Sequence, residues 1–255
     1  MVAFLMAYSF TEPLEEDGEE VKSAPLMVPM ADILNHTAHN NANLDFGQDH
    51  LQMVATRSIP KGAEVFNTYG QLSNSALLQM YGFAEEYPKN CYDTVEIPMN
   101  SLLECCQEQQ GESQVTFLNK KWDFIEEMGL VAPDGVFVVG VDGILTEEEM
   151  YSAMKVMLMD EAAFKEYEAN QGWESDDESQ EDLSNDAIAK LPESWKSVLE
   201  KMVTKAIVGY KNSLEEEERL GSSSIWPSLS PRQRYAHHLR YGQLILLHGI
   251  KGLCS

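Results

Sequence analysis

Three short segments of the 255-residue chain carry the side chains that could take part in chemistry: Pro29–His36, Asn67–Gly70 and Met80–Phe83. Their side chains carry phenol and phenyl rings, amide groups and an imidazole ring. An aromatic ring face attracts a cation, and a tyrosine hydroxyl both donates and accepts hydrogen bonds. Brought together, the segments could line a pocket for an amine or another cation, and such a pocket needs neither a nucleophile nor a metal.

Taken one at a time, the same residues have ordinary structural interpretations. Tyr69 could end an edge strand with its hydroxyl in water. Asn35 and His36 could cap a helical turn, and Tyr81 could be a core aromatic residue at the end of an amphipathic helix. These alternatives stay open for each residue alone, and only the combination of the three segments favours a site.

A metal site is the other chemistry that the sequence suggests. Five possible ligands lie close together, but their spacing is irregular and no cysteine joins them, whereas zinc ligands usually show regular spacing. We therefore predict that no metal is bound by this set: His36, His39, Asp45, Asp49 and His50.

The formal net charge of −24 results from 18 basic and 42 acidic residues. Phosphate binding needs clustered lysine and arginine, so this charge argues against nucleic acid as a direct ligand. The acidic residues concentrate in three runs that we interpret as solvated loops. The alternative is that they attract a basic, lysine-bearing protein surface. The runs are Glu12–Glu20, Glu174–Asp186 and Glu215–Glu218.

The four cysteines are Cys91, Cys105, Cys106 and Cys254, and no CxxC spacing occurs. This pattern favours reduced, structural thiols in an intracellular compartment. No apolar run approaches the length of a membrane span, and no signal sequence is evident. We predict a protein of the nucleus or cytoplasm that does not bind membranes.

Short strands and one helix are predicted to position the three segments. Leu26–Met30 is typical of a buried strand, and Leu51–Thr56 is predicted to pair with Glu64–Asn67 as a hairpin. A helix is predicted from an N-cap at Ser73 to a stop at Gly82.

Three further stretches complete the first third of the chain. The apolar start, Val2–Phe10, is predicted to be a buried core segment. Glu12–Ala24 is interpreted as an acidic loop, and Thr37–Asn43, rich in Asn and His, as an irregular loop.

Beyond residue 90 the pattern becomes mainly helical, with two short strands. The predicted strands are Thr94–Met99 and Gly135–Gly140; the predicted helical regions are Leu102–Met128, a helix through Leu158 opened by a capping box at Thr146, a helix from Pro192 through Glu218, and a last helix from Ser230–Pro231 to His248.

Together these motifs resemble the carboxyl-terminal half of a SET domain. The resemblance extends through Trp122–Phe124, Leu145–Glu149, Ser194–Trp195 and Arg240–Gln243 to the N-lysine methyltransferases of the Rubisco large-subunit methyltransferase-like group. It implies an α+β fold in which a β-rich SET portion with a pseudoknot precedes a mostly helical substrate-binding domain. The implied domains are residues 1–95 and residues 96–255, the second with a disordered acidic loop at 171–186.

The resemblance also implies the reaction, which is methyl transfer from S-adenosylmethionine to a lysine amine of a protein partner. Its catalytic residue is Tyr69, whose hydroxyl faces the methyl group and the amine. The implied cofactor-binding residues are Asn35, His36, Tyr81 and Tyr8. The implied substrate-binding residues are Asp32, Phe10, Tyr69 and Tyr81.

Two finer expectations follow from the same resemblance. Members of the group favour monomethylation of nuclear non-histone or histone-variant proteins. They also carry an upstream glycine-containing segment at the cofactor, whereas no GxG tripeptide occurs in this chain. The sequence therefore suggests a truncated form, and the alternative function is a catalytically incomplete protein-interaction module.

Overall fold

The computed structural model describes residues 7–11, 13–16, 19–22, 24–47, 50–170 and 182–255. The chain divides into two compact units. The first contains the residues up to Asp93 together with 225–239, and the second contains 94–224 and 240–255. The division into domains at residue 95 stays a prediction, because a compact unit is defined by its contacts and not by independent folding.

Among its described residues, the first unit contains three antiparallel strand pairs. Each pairs two strands: β1 with β4, β2 with β3, and β5 with β6. The strands are β1 Ser9–Phe10, β2 Pro13–Glu16, β3 Glu19–Lys22, β4 Leu26–Met27, β5 Ala42–Phe46 and β6 Leu51–Ala55.

Several predictions for this unit are wrong. The partner of β6 is β5, with Leu44 opposite Met53, whereas Glu64–Asn67 forms no strand. The loop predicted at 12–24 contains strands β2 and β3, and the loop predicted at 37–43 contains the start of β5.

The apolar residues near the start of the first unit are more exposed than predicted. Leu26 and Met27 are 44% and 53% exposed, so β4 is not the buried strand expected at 26–30. Tyr8 is 42% exposed, and residues 2–6 of the predicted core segment lie outside the described residues.

Helix α1, Asn74–Tyr81, confirms the helix predicted from its end signals. The Ser73 side chain accepts a hydrogen bond from the Ala76 N–H at the start of the helix. At the other end Gly82 has φ +80°, a left-handed conformation that glycine adopts at low cost. The helix therefore delivers Tyr81 in its last turn, directly before the glycine.

Two distant segments cross next to this helix. His36 and Asn67 form an isolated parallel bridge. The Asn67 N–H donates to the Asn35 carbonyl at 2.9 Å, and the Thr37 N–H donates to the Asn67 carbonyl at 3.2 Å. This short ladder fixes the segment that bears Tyr69 against the loop that bears His36.

The second unit combines one strand pair with packed helices. Strands β7 and β8 are antiparallel, with Ile97 opposite Phe137, and both residues are fully buried. Helix α2 (Asn100–Gln110) packs against α3 (Val115–Glu127) and α7 (Glu193–Val208), and α7 also contacts β7. The elements are β7 Val95–Pro98, α2 Asn100–Gln110, α3 Val115–Glu127, β8 Val136–Val139, α4 Glu147–Leu158, α5 Glu161–Ala169, α6 Asn185–Ile188, α7 Glu193–Val208, α8 Leu214–Gly221 and α9 Pro231–Leu253, whose residues up to Leu239 belong to the first unit.

The helical predictions are right in type but wrong at several boundaries. The region 102–128 is two helices separated at Gly111, and the helix predicted from Pro192 to Glu218 is interrupted after Val208. Helix α4 begins as predicted but without a capping box, because the Thr146 hydroxyl accepts from the Val138 N–H.

The acidic stretches also differ from the prediction. The capping box belongs to Ser213 and Glu216 at the start of α8, so the acidic run at 215–218 is helical and not a loop. Residues 171–181 of the acidic loop predicted at 171–186 lie outside the described residues, and Asn185 begins helix α6.

Candidate functional site

A cavity of about 440 Å³ lies within the first unit, a size ordinary for a small-molecule site. Four stretches of the chain meet at it. They are the region of β1, the loop around Asp32 and Asn35, the segment 68–70, and the end of α1 with Phe83. The described lining residues are Ala7, Tyr8, Ser9, Phe10, Thr11, Asp32, Asn35, Thr68, Tyr69, Gly70, Tyr81 and Phe83.

Aromatic rings form the inner wall of this cavity. The ring centroids of Tyr69 and Tyr81 are 4.7 Å apart, and Phe83 lies 6.5 Å from Tyr69 and 6.4 Å from Tyr81. These rings pack as a cluster whose faces can attract a cation. Asp32 contributes a carboxylate to the same lining. The lining therefore combines aromatic ring faces with a carboxylate, and both suit a positively charged ligand.

The Tyr69 hydroxyl has a defined orientation. It donates a hydrogen bond to the Leu34 carbonyl oxygen at 2.9 Å. The hydroxyl proton is thus engaged in this hydrogen bond, and the oxygen lone pairs remain available as acceptors. The hydroxyl can accept an amine N–H or a weak C–H···O contact from a ligand in the cavity.

Burial keeps the two central phenols protonated. It raises the pKa of Tyr69, with smaller upward contributions from Tyr81 and Tyr8. Burial also raises the pKa of Tyr81. Both hydroxyls are therefore neutral at neutral pH, and Tyr69 cannot act as a phenolate base there.

His36 lies behind the cavity wall and not in its lining. Its ring is buried, and its Nδ1 accepts a hydrogen bond from the Tyr69 backbone N–H at 3.0 Å. The proton of the neutral ring must then reside on Nε2, which faces Glu85 Oε2 at 3.8 Å. His36 thus fixes the backbone of Tyr69 from behind.

Asn35 ties the same two segments together at the surface. Its side-chain amide donates to Glu64 Oε1 at 2.6 Å, while its carbonyl accepts from Asn67. A second asparagine, Asn41, braces the segment further upstream by donating to the Glu64 carbonyl and accepting from the Phe66 N–H. Sequence reasoning missed Asn41, because a single asparagine in a loop carries no motif.

The structure brings together six of the seven residues predicted for the site. Tyr8, Phe10, Asp32, Asn35, Tyr69 and Tyr81 all line the cavity, whereas His36 supports it from outside. The lining residues that the sequence did not single out are the small ones, among them Thr68 and Gly70. The Thr68 hydroxyl accepts from the Gly70 N–H and so shapes the turn that follows Tyr69.

The structure offers no metal centre among the residues it describes, since no group of three or more His, Cys, Asp or Glu side chains is placed to hold an ion. The described cysteines are all free. Within the same ranges, every helix is too short or too polar to cross a bilayer.

Protonation of His36 should destabilise the first unit in acid. Burial lowers the pKa of His36 below its usual 6.5, although Glu85 opposes the change. Below pH 6.5 the unfolded chain therefore binds a proton more readily than the folded chain. The stability linked to His36 is fully present above this unfolded pKa and is lost as pH falls towards the lower folded pKa.

Thermal unfolding of His36→Asn between about pH 7.5 and 5 tests this expectation. The parent should lose more stability over this range than the variant, by about 1.4 kcal/mol for each unit by which the folded pKa lies below the unfolded one. The exposed His39 gives a matched control, His39→Asn, which should keep the parental pH dependence. Identical acid sensitivity in the parent and His36→Asn would contradict the assignment.

Two family models match the sequence. The Rubisco LSMT substrate-binding model matches residues 112–247, and the SET domain model matches residues 6–70. The N-lysine methyltransferase SETD6 of Rattus norvegicus is 43% identical over 258 residues, which cover 100% of this chain and 54% of that protein. The Mus musculus protein of the same name is 42% identical with the same coverage. The chain spans about half the length of these curated relatives.

The fold is also similar to a solved structure, described as the SET domain of LSMT bound to lysine and AdoHcy. The TM-score is 0.57 at 20% identity, and the match covers 99% of this chain and 54% of that one. At this identity the likeness shows the fold. The predicted α+β class, a SET portion followed by a helical substrate-binding portion, is confirmed.

Proposed function

The chain belongs to the family of SET-domain proteins with a Rubisco LSMT substrate-binding domain, and from this we propose that it supplies the lysine pocket of an S-adenosylmethionine-dependent protein-lysine N-methyltransferase. The names of relatives more than 40% identical support the reaction. The whole protein's activity is part of this proposal, since the chain aligns with 54% of each relative.

One observation carries the proposal. Residues from four separate stretches of the chain converge on one cavity. Among them, Tyr69 presents the lone pairs of its hydroxyl beside aromatic ring faces. Methyl transfer to an amine is an in-line displacement that needs two reactants aligned at about 3 to 3.5 Å with water excluded. An aromatic cavity with one fixed acceptor meets these requirements.

The lining residues suit both reactants. A protonated lysine is drawn to the Asp32 carboxylate and to the ring faces of Tyr69 and Tyr81. Desolvation in the cavity then favours the neutral amine, the form that attacks. The Tyr69 hydroxyl accepts an amine N–H and so orients the nitrogen lone pair.

The cofactor proposal rests on the same cavity. S-adenosylmethionine, when bound, supplies an electrophilic methyl group on a cationic sulfur. Its positive charge fits a pocket lined by Tyr8, Tyr81 and Asp32, and Asn35 would add hydrogen-bonding groups at the rim. We assign His36 to the support of this pocket through the Tyr69 backbone. The LSMT structure with the same fold is described as bound to lysine and AdoHcy, which supports the choice of ligands.

The finer proposals concern product and partner. The Tyr69 and Tyr81 rings pack against each other at a centroid distance of 4.7 Å and so limit the space beside the Tyr69 hydroxyl, which supports monomethylation. We propose a lysine-bearing nuclear protein as the partner. We assign further contacts with this protein to the helical part from residue 96 onwards. The net charge of −24 supports a basic partner surface.

The pH dependence of methyl transfer follows from the protonation states in the cavity. Lysine has a pKa of about 10.4, so only a small fraction is neutral at neutral pH. The raised pKa of Tyr69 means that its phenol cannot take the proton. We expect the logarithm of the rate at low peptide concentration to rise by about one unit per pH unit between about pH 7 and 9.

Transfer of a tritiated methyl group to a lysine peptide measures this profile. A peptide with arginine in place of lysine is the negative control. A thialysine peptide, whose amine is more acidic, should react faster than the lysine peptide at the lower end of the range. A flat profile would indicate a protein base and contradict this account, and equal labelling of the arginine peptide would contradict the function.

A further inference from the structure

Glu85 connects the loop of His36 to the end of helix α1, outside the cavity lining. Its Oε1 accepts from the Thr37 hydroxyl at 2.8 Å, and its Oε2 accepts from the Ala38 N–H at 3.0 Å. The side chain is only 11% exposed, against 0% for the side chain of His36. Both carboxylate oxygens are thus held by the loop that contains His36.

The backbone of Glu85 is fixed as firmly as its side chain. The Asn74 side chain accepts from the Glu85 N–H at 2.8 Å and donates to the Glu85 carbonyl at 3.1 Å. Asn74 is itself fully buried and is held by Asp93, which accepts from both its backbone N–H and its side chain. Glu85 therefore has little freedom to move relative to helix α1.

The contact that matters is the one between Glu85 and the far side of the His36 ring. His36 Nε2 is buried and has no hydrogen-bond partner among the described residues, and Glu85 Oε2 lies 3.8 Å from it. A buried donor without a partner is unfavourable, and a nearby carboxylate reduces that cost. The same charge favours the tautomer with the proton on Nε2, which leaves Nδ1 free to accept from Tyr69.

We propose that Glu85 is a positioning residue for Tyr69, acting through the tautomer and placement of the buried His36 ring. Its catalytic consequence rests on the proposed methyltransferase function. The chain of contacts runs from Asn74 to Glu85, across the 3.8 Å gap to His36, and from Nδ1 to the Tyr69 N–H. Glu85 acts on the reaction only through this series of contacts.

The variant Glu85→Gln tests this series of contacts, because it keeps the shape of the side chain and removes its charge. The adjacent Glu86 is 58% exposed and pairs with Lys89, so Glu86→Gln removes the same charge from a neighbouring site. Hydrogen exchange of the Tyr69 amide gives a readout on the protein itself that does not depend on turnover. The amide of Leu77, in helix α1, reports global stability.

In Glu85→Gln we expect the Tyr69 amide to exchange about tenfold faster, with Leu77 unchanged and with both amides unchanged in Glu86→Gln. Methyl transfer should show kcat lowered by about tenfold and the KM for peptide within about twofold, since orientation and not ground-state binding is affected. Equal acceleration at Tyr69 and Leu77 would overturn the proposal in favour of a merely structural role. Unchanged exchange and unchanged kcat would also overturn it.

A second pair of variants applies if Glu85→Gln fails to fold. Thr37→Val removes one of the two donors that hold the Glu85 carboxylate, and Thr37→Ser keeps the hydroxyl. We expect faster Tyr69 exchange in Thr37→Val and near-parental exchange in Thr37→Ser; the same exchange in both would overturn the proposal. If Tyr69 exchange responds as expected but the parent protein transfers no methyl group, the proposed function fails and not the positioning contact.

Discussion

Replacing Tyr69 by phenylalanine should lower the rate of methyl transfer by about a hundredfold or more, comparable to the loss of a single fixed hydrogen-bonding group in other active sites. The variant keeps the ring that packs on Tyr81 at a centroid distance of 4.7 Å. It removes the hydroxyl that donates to Leu34 and offers its lone pairs to the cavity. The loss should therefore appear mainly in kcat, because ring packing is preserved.

The control for Tyr69→Phe is Tyr92→Phe, which makes the same chemical change at a tyrosine of the first unit that is not among the cavity-lining residues. Tyr69→Phe should lower stability by only about 1 kcal/mol, because one hydrogen bond is lost. A thermal unfolding measurement separates this from the catalytic effect. Parental turnover in a folded Tyr69→Phe variant would remove the hydroxyl from the mechanism.

Replacing Arg240 by alanine should destabilise the second unit by about 3 to 5 kcal/mol. The Glu217 side chain is fully buried, and Arg240 donates to it from Nε to Oε1 at 2.6 Å and from Nη2 to Oε2 at 3.3 Å. Asn212 donates to the same carboxylate at 2.8 Å. Without the guanidinium, the buried carboxylate would lose the positive charge that balances it, which is why the expected cost is large.

Chemical denaturation measures the effect, with Arg219→Ala as the matched control. Arg219 lies on helix α8, as Glu217 does, but its side chain is exposed, so its loss should change stability by less than about 0.5 kcal/mol. The double variant Arg240→Met with Glu217→Leu should recover most of the stability, because no buried charge is left. A cost below about 1 kcal/mol for Arg240→Ala alone would mean that Glu217 finds another partner or protonates without penalty.

The sequence anticipated the site better than the strands around it. Tyr69, Tyr81 and Asn35 could be identified because each belongs to a motif with fixed neighbours, and the end signals of helix α1 placed Tyr81 correctly. Strand pairing was predicted wrongly, because alternation marks a strand without naming its partner. The run at 51–56 pairs with Ala42–Phe46, which also alternates but begins inside a stretch rich in Asn and His that is typical of a loop.

The buried polar contacts could not be predicted for a different reason. Asn74 and Glu85 lie 11 residues apart and carry no motif, so only the fold brings them together. The acidic run at 215–218 looked solvated because four like charges are adjacent. Its third member, Glu217, is nevertheless buried, because the guanidinium of Arg240, 23 residues away along the chain, pairs with its carboxylate.

A crystal structure of the protein with S-adenosylhomocysteine and a lysine peptide is the most direct test of the shared cavity. We expect the lysine amine next to the Tyr69 hydroxyl, at about 3 Å, with the sulfur of the cofactor product facing it along the same line. Tyr81 and Asp32 should contact the ligands from two different lining segments. The account would be contradicted if either ligand were bound away from Tyr69 and outside the cavity lined by Tyr8, Asp32 and Tyr81.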